Sequence, residues 1–138
     1  MTTIATDGKV MAADSRLTGD YIDQFNSTKL YAVNGEIVGT CGTASEGLAY
    51  IQWLQDSKAA PKLSDKFEAL HLTRGGIFSV DRNLVRIRVA KVSAIGSGCG
   101  YAMGAMLAGA SPGKAVQIAA KLDPHTGGKI VTMKLSGR

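Results

Sequence analysis

Short apolar runs broken by glycine turns fill the N-terminal third of the chain. Thr3-Ile4-Ala5 and Val10-Met11-Ala12 flank Asp7-Gly8, and Leu30-Tyr31-Ala32-Val33 and Glu36-Ile37-Val38 flank Asn34-Gly35. Each pair predicts a β-hairpin, because glycine accepts the positive φ that a tight turn demands. Between the hairpins, residues 16–28 are polar and predict a loop carrying a short strand. From Ala44 the apolar spacing lengthens: Leu48, Ile51 and Leu54, with Tyr50 and Trp53, predict one amphipathic helix ending near Ser57. Ala59-Ala60-Pro61 reads as a linker. Phe67–Thr73, Gly76–Val80 and Leu84–Val89 predict strands, with Asp81-Arg82-Asn83 turning the chain between the last two.

After Ile95 the small-residue run Tyr101–Ala108 predicts a helix that tolerates close packing. Ser111-Pro112 starts another, with serine as N-cap and proline at the first helical position. Its apolar residues Ala115, Val116, Ile118, Ala119 and Leu122 are expected to share one face. Asp123-Pro124 ends it, Gly127-Gly128 turns the chain, and Ile130–Leu135 predicts a final strand. The order is strands, helix, strands, two helices, strand, without internal repeat. It predicts a layered α+β fold and one domain over 1–138.

Composition changes this picture little. The 138 residues are 45% hydrophobic and 20% charged, which is globular, and the net charge is +5. Arg86, Arg88 and Lys91 form a basic stripe, but no aromatic residues interleave it. A solvated or subunit-facing edge strand is therefore expected rather than nucleic-acid readout. Cys41 and Cys99 lie far apart, outside any C-x-x-C pair, so neither a zinc site nor a redox motif is expected, and a reduced cytoplasmic setting fits. The N-terminus has neither a basic nor an apolar leader pattern, so no signal peptide is expected. The uncharged stretch Ala94–Ala110 is broken by glycines and too polar to span a membrane. Gly-Ser-Gly-Cys-Gly at 96–100 is followed by Tyr101 where a dinucleotide loop needs glycine. The Gly-Lys pairs ending at Lys9, Lys114 and Lys129 lack the Ser or Thr of a P-loop. His71 and His125 have no partners at metal-ligand spacing, so each is expected to be a surface or packing histidine.

Six segments fit one template in order. They are Thr2-Thr3; Ala12-Ala13-Asp14-Ser15-Arg16; Lys29-Leu30; Gly39-Thr40-Cys41-Gly42-Thr43-Ala44; Ile95-Gly96-Ser97-Gly98; and Asp123-Pro124-His125-Thr126-Gly127-Gly128. Over most of its length the chain resembles the proteasome β-subunit family, including the bacterial HslV-type peptidases, within the N-terminal-nucleophile hydrolases. The resemblance implies an αββα sandwich. Family members carry two long helices between Ala44 and the next strand. Here Lys58–Lys66 leaves little room for the second, so one helical layer is expected to be shortened.

The resemblance also implies a chemistry. With Met1 removed, as the small residue behind it favours, Thr2 would offer its hydroxyl as nucleophile and its α-amine as general base. An α-amine, with a reference pKa of about 8, suits that role better than a lysine at about 10.4. Lys29 corresponds to the lysine beside the nucleophile and Asp14 to the aspartate that orients it. Gly42 corresponds to the backbone donor of the oxyanion hole. Ser97 and Asp123 match the polar pair near the amine, and Thr126 stands where the family has serine. Thr18 matches a residue whose backbone pairs with extended substrate. Leu17 and Cys41 align with walls of an apolar first specificity pocket. Each residue has a plain structural explanation when taken singly: a polar strand end for Asp14, a surface lysine for Lys29, helix ends for Ser97 and Asp123. Cys99 is expected to be a small core residue.

The expected function is a threonine peptidase acting on polypeptide in a homo-oligomeric ring. It would need no cofactor or metal, and a separate ATP-dependent unfoldase would unfold its substrates. An amidase acting on a small amide shares the nucleophile. A catalytically silent assembly subunit shares the fold. A small basic nucleic-acid-binding module rests on charge alone.

Overall fold

The computed structural model describes residues 2–16 and 27–135. The expected short strand within 16–28 falls largely outside them, as do Leu17 and Thr18. Thr3–Thr6 (β1) and Val10–Ala13 (β2) form the first hairpin, Leu30–Val33 (β3) and Glu36–Cys41 (β4) the second. Ala44–Asp56 is a helix (α1). Glu68–Thr73 (β5), Gly76–Asp81 (β6), Ile87–Arg88 (β7) and Ser93–Gly96 (β8) follow, then helices Cys99–Leu107 (α2) and Pro112–Leu122 (α3), and strand Val131–Lys134 (β9). All strand pairs are antiparallel, in two sheets ordered β8-β1-β2-β9 and β3-β4-β5-β6-β7.

The layers follow from alternation along buried strands. Ile4, Met11 and Ala13 turn inward to meet Leu30, Ile37, Leu70 and Leu72 of the second sheet. Their neighbours Ala5 and Ala12 turn outward, where small side chains let Ala115, Val116 and Ala119 of α3 approach closely. On the far side, Val38, Ala69 and Val80 pack against Tyr50 and Ile51 of α1. The result is helices, sheet, sheet, helix: an αββα sandwich whose second helical layer holds α1 alone among the described residues.

Local chemistry sets the boundaries. Asn34 and Gly35 both take positive φ (52° and 79°) in the β3–β4 turn, as a tight two-residue hairpin requires. Thr43 and Glu46 form a reciprocal capping box at the start of α1, worth about 1 kcal/mol. Glu46 also accepts from the backbone N–H and hydroxyl of Ser64. That ties the connection after α1 back to its first turn, where a second helix was not expected to fit.

The structure departs from the expected elements at several points. The Leu84–Val89 strand shrinks to two residues because the turn runs on through Leu84, whose φ is +64° and whose N–H donates to Asp81 O. Ser93–Gly96, too short and unpatterned to read as a strand, pairs with β1 at a sheet edge. Leu122 and Leu48 are 58% and 52% exposed, so neither shares its helix's buried face. Arg86 and Arg88 are exposed, and Arg88 lies on the edge strand β7, as expected; both also make specific contacts. Arg86 donates to both carboxylate oxygens of Glu36, Arg88 donates to Gly75 O, and both lie over the Phe78 ring.

His71 is a packing histidine, fully buried. A carboxylate only accepts, so Nδ1–H donates to Glu36 (3.0 Å), leaving Nε2 to accept from the Tyr50 hydroxyl (2.7 Å). Burial lowers its pKa from 6.5, and Arg86 adds to this, while the Glu36 contact opposes both. With the folded pKa below the unfolded one, the unfolded chain binds the proton first, and stability falls as pH drops from 6.5 through the folded value. Glu36 and Glu46, both held below 4.5, titrate beneath the upper part of this window. The urea midpoint is expected to fall between pH 7 and 5.5, and to fall less in His71→Gln. An equal fall in both proteins would assign the effect elsewhere.

Candidate active site

Asp14 directly follows β2, its carboxylate fully buried. Oδ1 accepts from the Thr3 N–H (3.1 Å) and the Lys29 ammonium (3.0 Å), and Oδ2 accepts from the Gly127 N–H (3.0 Å). Lys29 also donates to Arg16 O at 2.7 Å. Burial lowers the Lys29 pKa from 10.5, and the Asp14 carboxylate works against that shift. The segment carrying Asp14 is clamped to the far end of the chain: Ser15 Oγ donates to Lys129 O, and Arg16 Nη1 to Pro124 O.

A second polar group forms on the other side. Asp123 Oδ2 accepts from the hydroxyls of Ser97 and Thr126, both at 2.5 Å, and Oδ1 accepts from the His125 N–H. Burial by itself raises the Asp123 pKa, but these donors outweigh it and hold the carboxyl below its usual 3.8. Ser97 Oγ lies 3.4 Å from the carbonyl oxygen of Thr2. Gly96 makes that approach possible: its φ is +98°, and a Cβ there would sit 1.9 Å from Thr2 O.

Thr2 itself is 4% exposed and lies where two cavities meet. One, of about 330 Å³, is lined by Thr2, Lys29, Gly42, Tyr31, Thr40, Ala44 and Leu48. The other, of about 290 Å³, is lined by Thr2, Gly42, Cys41, Asp65, Glu68 and Ser97. Gly42 borders both. Its φ of +115° carries the chain from β4 to the Thr43 cap, and a Cβ would press on the Phe67 and Lys66 backbone at 3.3 and 3.4 Å.

Thr2, Asp14, Lys29, Gly42, Ser97, Asp123 and Thr126 are thus brought together. Cys41 borders one of the two cavities at Thr2. It lines the second, with Thr2, and its neighbour Thr40 lines the first, because adjacent residues of β4 point to opposite faces. Burial, with the Glu68 charge, pushes the Cys41 thiol up to about 12, which keeps it protonated. Cys99 is half-buried at the start of α2. Sequence reading missed Tyr31, Thr40, Leu48 and Thr3. The i, i+2 relation of Lys29 to Tyr31 was the available signal for one wall. Among the described residues, no three His, Cys, Asp or Glu side chains gather to hold a metal, and no helix is long and apolar enough to cross a membrane.

No protein-family model and no curated protein matches the chain in sequence. Solved structures match its fold. Eukaryotic HslV from Trypanosoma brucei shares 17% identity, with 96% of this chain and 98% of that one covered at a TM-score of 0.74. Thiobacillus denitrificans BPH shares 22%, with 99% of each chain covered at a TM-score of 0.68. A structure of that BPH in complex with epoxomicin shares 21%, with 98% of each chain covered at a TM-score of 0.68. At these identities the likeness is one of fold, and the fold is the αββα sandwich of HslV.

Proposed function

We propose that this chain is a threonine peptidase of the proteasome β-subunit and HslV type, with Thr2 as nucleophile after Met1 is removed. The observation that carries the reading is the position of Thr2: it lies between the Asp14–Lys29 pair and the Ser97–Asp123–Thr126 group, at the junction of two cavities.

In this reading the freed α-amine takes the proton of Thr2 Oγ as the oxygen attacks the substrate carbonyl. The Lys29 charge disfavours a protonated amine nearby and stabilises negative charge on the attacking oxygen. The Gly42 N–H donates to the oxyanion. The amine then returns the proton to the leaving nitrogen as the peptide C–N bond breaks, and water hydrolyses the resulting ester. The Ser97 proton is committed to Asp123, so the serine oxygen keeps lone pairs free to accept from the amine. The Lys29-side cavity, whose walls include hydroxyl groups, Ala44 and Leu48, is assigned to an uncharged substrate side chain. The resemblance extends the proposal to a homo-oligomeric ring in the cytoplasm, with a separate ATP-dependent unfoldase delivering polypeptide.

Intact-mass measurement before and after exposure to epoxomicin tests the core of this. The expected result is a mass lacking one methionine and a single adduct mapping to Thr2. A retained Met1, no adduct and no peptide hydrolysis would replace the peptidase with a catalytically silent subunit.

A further inference from the structure

Thr3 touches both halves of the site. It is fully buried at the start of β1. Its N–H donates to Asp14 Oδ1, the same oxygen that receives the Lys29 ammonium. Its hydroxyl lies 2.7 Å from the hydroxyl of Thr126, which contacts Asp123. The direction of this chain follows from proton counting. An ionised carboxylate only accepts, so Thr126 spends its single proton on Asp123. The Thr126 oxygen is then the acceptor, and Thr3 must be the donor. The order is Thr3 O–H to Thr126 O–H to Asp123 carboxylate, with Ser97 donating to the same carboxylate oxygen.

Chains of this kind strengthen each other, above all where water is excluded. Exclusion here is built into the backbone. A Cβ on Gly98 would lie 2.1 Å from Thr3 Oγ1 and 3.1 Å from Thr126 Oγ1, so the bare glycine backbone lies directly against the hydroxyl pair. Thr3 is also bonded to Thr2 through the peptide whose carbonyl Ser97 approaches.

We infer that Thr3 is a positioning residue: its hydroxyl completes the Thr126–Asp123–Ser97 chain, its amide joins that chain to Asp14–Lys29, and together they fix Thr2 between them. The inference rests on the peptidase reading for its kinetic consequence but not for its structural one. Thr3 touches no substrate. It acts through Asp123 and Ser97 on the geometry of Thr2.

The test compares Thr3→Val, which keeps shape and loses the donor, with Thr3→Ser, which keeps the donor. On a peptide substrate of the full-length protein, Thr3→Val is expected to lower kcat about tenfold, the worth of one hydrogen bond in a charged network, with KM unchanged. Thr3→Ser is expected to restore most of it. Independently of turnover, NMR titration of ¹³C-carboxyl-labelled aspartates is expected to show Asp123 titrating higher in Thr3→Val and as wild type in Thr3→Ser. If Thr3→Val does not fold, Thr3→Ala removes the same donor without trapping a methyl group and takes its place. A wild-type kcat with an unmoved Asp123 titration, or a Thr3→Ser protein as impaired as Thr3→Val, overturns the inference. A wild-type protein without hydrolysis overturns the peptidase reading instead, and the Asp123 titration still decides the role of Thr3.

Discussion

Thr2→Ala is expected to abolish peptide hydrolysis, by about 10⁴-fold or more, while leaving the protein folded. The substitution keeps Cβ and the strand-entry backbone and removes one hydroxyl and one methyl group at a nearly buried position. The hydrogen bonds described for the Asp14–Lys29 pair and for the Ser97–Asp123–Thr126 group run to atoms other than the Thr2 side chain. The loss of stability should stay within about 1 kcal/mol. Hydrolysis rates and urea denaturation of the purified variant check both halves. A folded Thr2→Ala protein that still cleaves peptide at the wild-type rate would falsify the assignment of the nucleophile.

The second large effect concerns Lys29, where activity and stability must be separated. Lys29→Met removes the ammonium that faces a fully buried Asp14 carboxylate, leaving it, among the described residues, the Thr3 and Gly127 amide donors. Breaking a buried pair from one side costs about 3–5 kcal/mol, because the remaining charge is uncompensated. Hydrolysis is expected to fall by about 10³-fold as the charge beside the nucleophile disappears. The double variant Lys29→Met with Asp14→Asn removes the orphaned charge as well. It is expected to regain part of the stability, since the Asn amide can accept from one of the two backbone donors but not both, and none of the activity. If activity returned together with stability, Lys29 would be a structural residue holding Asp14.

Several parts of this architecture are legible in short stretches of the chain. Asn34-Gly35 encodes its own turn, Thr43-x-x-Glu46 its own cap, and Ser111-Pro112 its own helix start, because each depends on residues a few positions apart. The order of Thr2, Asp14, Lys29, Gly42, Ser97, Asp123 and Thr126 is legible through resemblance; Thr2, Lys29, Gly42 and Ser97 line the two cavities, with Asp14 bonded to Lys29, and Asp123 and Thr126 grouped with Ser97 behind them. Leu48 and Leu122 depart from their expected faces because helical period states which residues share a face but not how wide the covering sheet is. Thr40 and Cys41 line different cavities because strand alternation turns a shift of one position into the opposite face.

By itself the sequence determined the local conformations and singled out the candidate site residues, since turns, caps and strand alternation are written in neighbouring residues. Only the tertiary structure decided which groups meet. Thr3 and Thr126 stand 123 positions apart, and Ser97 stands 95 from Thr2. Their meeting depends on the register of β1 against β8 and on the clamp between Asp14 and Gly127. Register and layering are settled by the summed burial of many side chains from distant segments, a quantity that no short stretch of this chain contains.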